Sequence, residues 1–480
     1  MTSEFQAGSQ PPAARWFRWA IAFVWLSTGI LVLHPAYRAI GSVYLDQLGL
    51  PTWLMYVTCV AEIVLGLYVA LRPADNWVTW IQITLIAGFT CVLAVCDPWL
   101  LANPFGVLTK NLPLVALIVT TWLLERECWT RRTEWLLRTG MAVIWITEGL
   151  VPKILFQQSL ELDVVGRVNP LPLDAGSLLV ILGVGQVLSG IAALALRGRW
   201  LSVVLAIQLV ALVVLPILVS LALPLLCVHP FGPLSKNVPI FTGTLVIFLR
   251  NTPFLSAVWS NLLLVTYAVP KGLLEPRLPA GVELDTWNGR VFVSLVSLDF
   301  KRTRVLGIPW PGFRNFPDVN LRFYARCGER RGVVFIREFV PLRIVAWLAR
   351  TVYHEPFESA RIATTVSESN EQILVERVLE FAGQAHRIRV EAARPACGAP
   401  EESEAHFFKK RYWGFGENRR GDMMDFRVEH PVWDVYPVRS WQIDLDWSKV
   451  YGQEWAVLEG REPDSVILAA GSPVRVWLTV

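Results

Sequence analysis

The sequence predicts a chain in two parts. The first is an all-α polytopic membrane region of two parallel four-helix bundles, eight spans in all. The second is a mainly β domain, closed or nearly closed into a barrel. Three observations predict this. Of 480 residues 54% are hydrophobic, with a mean hydropathy of +0.43, yet almost all uninterrupted apolar runs lie before Arg250. Charges thicken after Glu275, where short β-like runs are broken by Gly, Pro and Asp. Finally, the block Pro-Phe-Gly-Val-Leu-Thr-Lys-Asn-Leu-Pro at Pro104–Pro113 returns at Pro230–Pro239 as Pro-Phe-Gly-Pro-Leu-Ser-Lys-Asn-Val-Pro, identical at seven of ten positions.

A spanning helix needs about 20 mostly apolar residues. The candidates are Trp16–Leu33, Thr52–Leu71, Trp77–Val95, Val107–Leu124, Trp135–Val151, Ser177–Leu196, Leu201–Val228 and Pro233–Leu249. Lys110 and Pro113 interrupt the start of the fourth. Met1–Ala14 is polar, acidic at Glu4, and lacks a basic n-region, so Trp16 onward reads as a retained helix rather than a signal peptide. The expected divisions are a polar tail at 1–15, repeats at 16–126 and 135–250, and a β domain at 256–480. Twenty-two tryptophans suit the interfacial belts of a polytopic protein. A net charge of +4 makes no case for nucleic acid. The seven cysteines form no CxxC pair, so packed free thiols are expected, with no disulfide framework, metal or cofactor.

Other marks align across the halves. Trp25 and Gly29 match Trp145 and Gly149, 120 positions on; Gly66 matches Gly190, 124 on; Phe105 matches Phe231, 126 on. Four helices return the chain to its starting side, so the copies run parallel. Basic residues in short loops orient the protein. With the N-terminus cytoplasmic, inner loops hold Arg15, Arg72, Arg126, Arg131, Arg132, Arg138, Arg197, Arg199 and Arg250. The outer side holds Arg38 and Arg167, with Lys110, Lys153 and Lys236 at helix ends. This bias puts both termini, and everything after Arg250, inside.

Ionisable groups within spans are costly and mark candidate sites. Glu62 falls mid-way along the second span, and Gln186 is its counterpart 124 positions on. Glu148 and Lys153 lie near the outer end of the fifth. Lys110-Asn111 and Lys236-Asn237 open the fourth and eighth spans, with Asn111 and Asn237 read as caps and Pro113 and Pro239 in the first turn. A lysine there opposes the helix dipole. It either snorkels to headgroups, pairs with a carboxylate such as Glu62 or Glu148, or meets a ligand. His34 and His229 sit beside prolines at loop edges and offer no facing pair for haem. Gly183, Gly185 and Gly190 fit close helix packing better than a dinucleotide loop.

Trp145, Glu148-Gly149-Leu150-Val151-Pro152-Lys153-Ile154-Leu155, Glu161 and the Pro-Phe-Gly-x-Leu-x-Lys-Asn block resemble the DoxX-like family of four-helix membrane proteins, over roughly Arg15–Arg250. The first copy departs from the pattern at Val32-Leu33-His34-Pro35, where the family has Pro-Lys. The resemblance implies a membrane bundle and names no reaction.

In the rear half, β-like runs cover Arg290–Leu298, Gly332–Val340, Gln372–Phe381, His386–Glu391 and Val474–Val480, with short helices expected at Pro341–Tyr353 and His406–Trp413. Asn320-Leu321-Arg322-Phe323-Tyr324, Gly332-Val333-Val334-Phe335, Ala349-Arg350 with Pro356-Phe357, Arg411-Tyr412 and His430-Pro431-Val432-Trp433 resemble the YqjF-like family of bacterial proteins, related to acetoacetate decarboxylase. The resemblance implies a decarboxylase-like barrel, and a bacterial plasma membrane as the location. That enzyme works through a Schiff-base lysine in a pair following a proline. Here the analogous Pro356-Phe357-Glu358 has none, and Lys409-Lys410 falls in a different block.

What remains are arginines suited to a carboxylate, Arg322, Arg350 and Arg411, with Tyr324, Tyr412 and His430 as polar handles. Acidic neighbours such as Glu338, Glu355 or Glu358 would otherwise occupy those arginines. The expected role is a non-enzymatic membrane protein binding a lipophilic or small acidic ligand. The alternatives are a quinone-linked oxidoreductase subunit, or a lysine-independent enzyme acting on an oxo-acid. Expected partners are the bilayer, such a ligand and possible subunits of a membrane complex.

Overall fold

The computed structural model describes residues 12–169, 172–353, 355–398, 407–408, 410–418 and 421–479. The chain divides into two compact units at Thr252/Pro253.

The helical unit repeats one plan twice. The first copy holds α1 (Pro12–Ile30), α2 (Pro35–Gln47), α3 (Trp53–Leu71), α4 (Asn76–Cys96) and α5 (Asn111–Leu124). The second holds α6 (Arg131–Leu150), α7 (Ser159–Val168), α8 (Ala175–Ala195), α9 (Gly198–Ala222) and α10 (Asn237–Asn251). α2 and α7 lie in the segments between the first and second expected spans of each copy. Among the described residues five helices are long and apolar enough to cross a bilayer, and Arg131–Leu155 with Ser159–Arg167, bent by 95°, counts as a sixth if the pair is taken as one broken span.

The expected spans Val107–Leu124 and Pro233–Leu249 are cut shorter, to 14 residues in α5 and 15 in α10. At 1.5 Å per residue α5 reaches about 21 Å, against a hydrocarbon core of about 30 Å. Gly106 (φ 69°) and Gly232 (φ 54°) adopt left-handed conformations that hold the residues after them in turns, so each helix starts only at its asparagine. The repeat glycines explain the matched helix crossings. A Cβ on Gly66 would strike Leu26, and one on Gly190 would strike Ile146, its repeat equivalent. Gly29 faces the Cys59 carbonyl and Gly149 the Gly183 carbonyl in the same way. Small residues here let backbones approach closely. All seven cysteines are free; Cys59 is buried, but Cys91 is exposed on α4 rather than packed.

The second unit is mainly β. Its strands are β1 (Leu255–Val269), β2 (Glu283–Leu284), β3 (Val291–Val305), β4 (Phe316–Cys327), β5 (Arg330–Val340), β6 (Phe357–Ser359), β7 (Arg361–Glu368), β8 (Gln372–Phe381), β9 (Gln384–Ala393), β10 (Trp413–Glu417), β11 (Met423–Glu429), β12 (Val435–Tyr436), β13 (Val438–Asp444), β14 (Ser465–Ala469) and β15 (Pro473–Leu478). Pairings run β1–β3–β4–β5–β10–β11–β15 and back to β1, closing a ring of seven strands. β13–β9–β8–β7 form a separate sheet.

Side chains alternate faces along a strand. Odd positions of β1, β3 and β4, such as Leu263, Leu295 and Leu321, pack with Val375, Leu379 and Val390 of the second sheet. Even positions, such as Leu264, Phe292 and Tyr324, therefore face into the ring, where Phe408 and Trp433 join them. The helix expected at Pro341–Tyr353 appears as α11 (Arg343–Leu348) and the turn Ala349–Tyr353. Of the one expected at His406–Trp413, Phe407 and Phe408 are helical, Lys410–Tyr412 are not and Trp413 begins β10; His406 and Lys409 lie outside the described residues.

Candidate functional site

Buried charge gathers in two places, one in each unit. In the helical unit Lys110 and Lys236 are 8% and 7% exposed. The Lys110 Nζ donates to the Pro233 carbonyl at 2.9 Å, and the Lys236 Nζ donates to the Val107 carbonyl at 2.9 Å. Val107 and Pro233 are repeat equivalents, so each copy passes its lysine into the other's turn. This overturns snorkelling, since both ammonium groups are directed into protein.

The capping role given to Asn111 and Asn237 also fails. Lys110 and Lys236 occupy the cap positions, and Asn111 instead donates to the Thr90 hydroxyl at 2.7 Å. The Glu148 carboxylate accepts from Thr109 at 2.6 Å, and it is the Glu148 backbone carbonyl that accepts from a lysine, Lys153, at 3.4 Å. Lys153 pairs with Glu161 at 2.9 Å. The charges of Glu62 and Lys236 act on one another, as do those of Glu148 and Lys110.

In the β unit, Asp318, Asn320, Arg322 and Tyr324 follow one another at every second position of β4 and share its inward face. Glu338 stands opposite Asn320 across the β4–β5 pairing. Asp318, Asn320, Arg322 and Glu338 are all buried. Asn320 donates to Asp318 at 2.6 Å, and Tyr324 shares a 2.6 Å hydrogen bond with Ser294. The Arg322 Nε has no hydrogen-bond partner among the described residues. Among the described residues no carboxylate lies within ion-pair distance of its guanidinium either, although Asp318 and Glu338 feel its charge.

Burial pushes the Asp318 carboxyl up to about 7 and that of Glu355 up to about 8. It also raises Glu338 well above the carboxylate range, helped by the negative charges of Asp318 and Glu355. Removing a carboxylate from water penalises its charged form. The cluster therefore holds its protons to higher pH than ordinary carboxylates do, and its Asp318 and Glu338 lie in the field of the Arg322 cation.

His430 stacks on Trp433 (4.6 Å between centroids) and lies 5.3 Å from the Tyr412 ring. Burial, then the positive charge of Arg322, lowers its pKa. The expected arginine partners differ from those observed. Arg411 is taken by Asp285, which Arg331 also binds at 2.8 Å. Burial works to raise the Asp285 carboxyl, but these two arginines outweigh it and hold it low. Glu358 lies 3.7 Å from Arg337, and Arg350 is exposed to solvent.

Of the candidates, Arg322, Tyr324 and His430 therefore surround the inward polar stripe, with Arg411 and Tyr412 at its border. Asp318 and Asn320 were missed as site residues, and Glu338 and Glu355 were counted only as bland partners. The alternation Asp-x-Asn-x-Arg-x-Tyr was the available signal. The described lysines of this unit, Lys271, Lys301, Lys410 and Lys449, are all exposed, so none is held in the desolvated setting a Schiff-base lysine needs.

Residues 22–119 and 142–246 match the DoxX-like family, and residues 256–473 match the DUF2071 family of uncharacterized conserved proteins. The uncharacterized protein YqjF of Bacillus subtilis is 31% identical over 124 residues, 26% of this chain and 48% of that protein, so the match spans under half of the relative. Among solved structures, acetoacetate decarboxylase from Legionella pneumophila is 12% identical, covering 48% of this chain and 87% of that one, with a TM-score of 0.35. An acetoacetate decarboxylase-like enzyme from Sphingomonas wittichii is 13% identical over 46% and 89%, with a TM-score of 0.33. The chain thus joins a tandem DoxX-like membrane region to a YqjF-like domain.

Proposed function

We propose that this is a multi-pass protein of a bacterial plasma membrane, with both termini cytoplasmic, whose β unit binds a small carboxylate-bearing molecule of the oxo-acid class. One observation carries the reading: Arg322 is a buried arginine that, among the described residues, has no ion pair, and its Nε has no hydrogen-bond partner there either. A buried charge left unsatisfied is costly, and a guanidinium fork matches a carboxylate. Protonated Asp318, Glu338 or Glu355 would donate to a second ligand oxygen. The arginine bias of the short loops supports the orientation.

The test is tryptophan fluorescence and calorimetry of the full-length protein in mild detergent, titrated with simple carboxylates and 2- and 3-oxo acids. Saturable binding is expected, lost in Arg322→Met. No response, or an equal one in the variant, would count against the reading. For orientation, a variant retaining only Cys397 should resist an impermeant maleimide in intact cells.

A second reading, a lipophilic ligand in the helical unit, draws on an open cleft of about 480 Å³ whose lining includes Phe23, Ser27, Ile30, Leu234 and Val238. Mass spectrometry of molecules that co-purify would reveal one.

A further inference from the structure

We propose that the two four-helix units are mutual binding partners joined by a pair of sockets, and that each socket requires one carboxylate, supplied from either of two equivalent positions. Each socket holds the lysine of one copy against the turn of the other. In the turn of the first copy, Glu148 Oε1 sits where a Cβ on Gly106 would stand. In the turn of the second, the equivalent Gly232 is faced by Thr28 Cγ2, 3.0 Å from its Cβ position. Thr28 and Glu148 are themselves equivalent, 120 positions apart.

The second wall shows the reverse. Gln186 belongs with Glu148, and its Cβ lies 2.9 Å from the Cβ position of Gly149. Its equivalent in the other copy is Glu62, 124 positions earlier. Lys110 thus has Glu148 beside its own turn, with Gln186 on the helix packed against Gly149, and Lys236 has Thr28 beside its own turn, with the charge of Glu62 acting on it. Each lysine feels the carboxylate of its own socket.

Acid and neutral residue have exchanged places between the copies, yet each pair of positions keeps one of each; the Lys153–Glu161 ion pair, which also lies beside Lys110, balances its own charge. A buried ammonium without a counter-charge is expensive in a membrane, whereas the wall from which the counter-charge comes matters less. Both lysines and both carboxylates act across the junction between copies. The kind of partner each unit fits is thus a second unit of the same build, carrying a complementary turn.

The test uses the whole chain with a protease site inserted between Glu127 and Cys128, in the connection before α6. After cutting in detergent, release of the front fragment from the immobilised rear fragment is timed. The uncut-length sequence should hold its fragments together. Glu62→Gln should release about tenfold faster, a change of about 1.4 kcal/mol. Adding Thr28→Glu should restore the original rate, because it rebuilds the pattern of the other socket. If Glu62→Gln yields no folded protein, the mirrored pair, Glu148→Gln with and without Gln186→Glu, decides. An unchanged rate in the single variant, or no restoration in the double one, overturns the proposal.

Discussion

The two units bury cations to opposite ends. In the helical unit each buried lysine is committed, its Nζ 2.9 Å from a carbonyl of the other repeat. In the β unit Arg322 is equally buried and its Nε is committed to nothing. That unit also supplies its own control. Arg377 is fully buried and its Nε also lacks a partner among the described residues, but it donates to Asp299 at 2.5 Å and also bonds Thr364. A committed buried charge belongs to the architecture, since removing it strands its partner. An uncommitted one costs stability and points to something absent from the folded chain.

The comparison breaks first, and most visibly, at the committed groups. Lys110→Met with Lys236→Met should cost the helical unit about 3 kcal/mol or more, read as a lowered unfolding midpoint in detergent. Two carbonyls and two carboxylates lose their partners together. Arg377→Met should cost the β unit about 3 kcal/mol in denaturant titration, because Asp299 is left charged and only 14% exposed. Equal stability in either variant would erase the distinction drawn here. Arg322→Met should do the reverse of Arg377→Met: stability of the β unit unchanged or raised, carboxylate binding gone.

Sequence reading reached the duplication because repeated turns need the same special residues. Gly106 and Gly232, and the lysine that follows each, survive in both copies for a backbone reason. It reached Arg322 and Tyr324 through a motif. It could not see that Lys110 and Lys236 change hands, because 126 residues separate them and only the folded bundle brings each turn to the other's lysine. Nor could it separate Arg322 from Arg411. Both are arginines followed by an aromatic residue, but Asp285, far away in sequence, claims one, and no carboxylate among the described residues claims the other. The fourth and eighth spans were read too long because hydropathy sees Val107–Lys110 as helix, while the left-handed glycine before it makes a turn.

The smallest effect is the most specific. Asp318, Glu338 and Glu355 titrate above the ordinary carboxylate range in the folded protein, Asp318 at about 7 and Glu355 at about 8. Between about pH 4 and those values the folded state binds more protons than the unfolded chain, so stability falls as pH rises. The contribution of protonated Asp318 and Glu355 is complete below about pH 4 and is lost by about pH 8, and that of Glu338, raised well above the usual range, runs in the same direction. Asp318→Asn should flatten part of that slope.

Ligand affinity follows the same sign. Well below pH 7 neutral carboxyls leave the field of Arg322 free for an anion; as Asp318 and then Glu355 ionise, near pH 7 and pH 8, their negative charges oppose it. Carboxylate binding should therefore weaken by a few fold from pH 6 to pH 8.5, and less in Asp318→Asn. A committed arginine would show no such dependence, because its counter-charge is already fixed. Affinity that rises with pH, or does not change, would mean that Arg322 is neutralised by its own neighbours and that the comparison with Arg377 has no functional content.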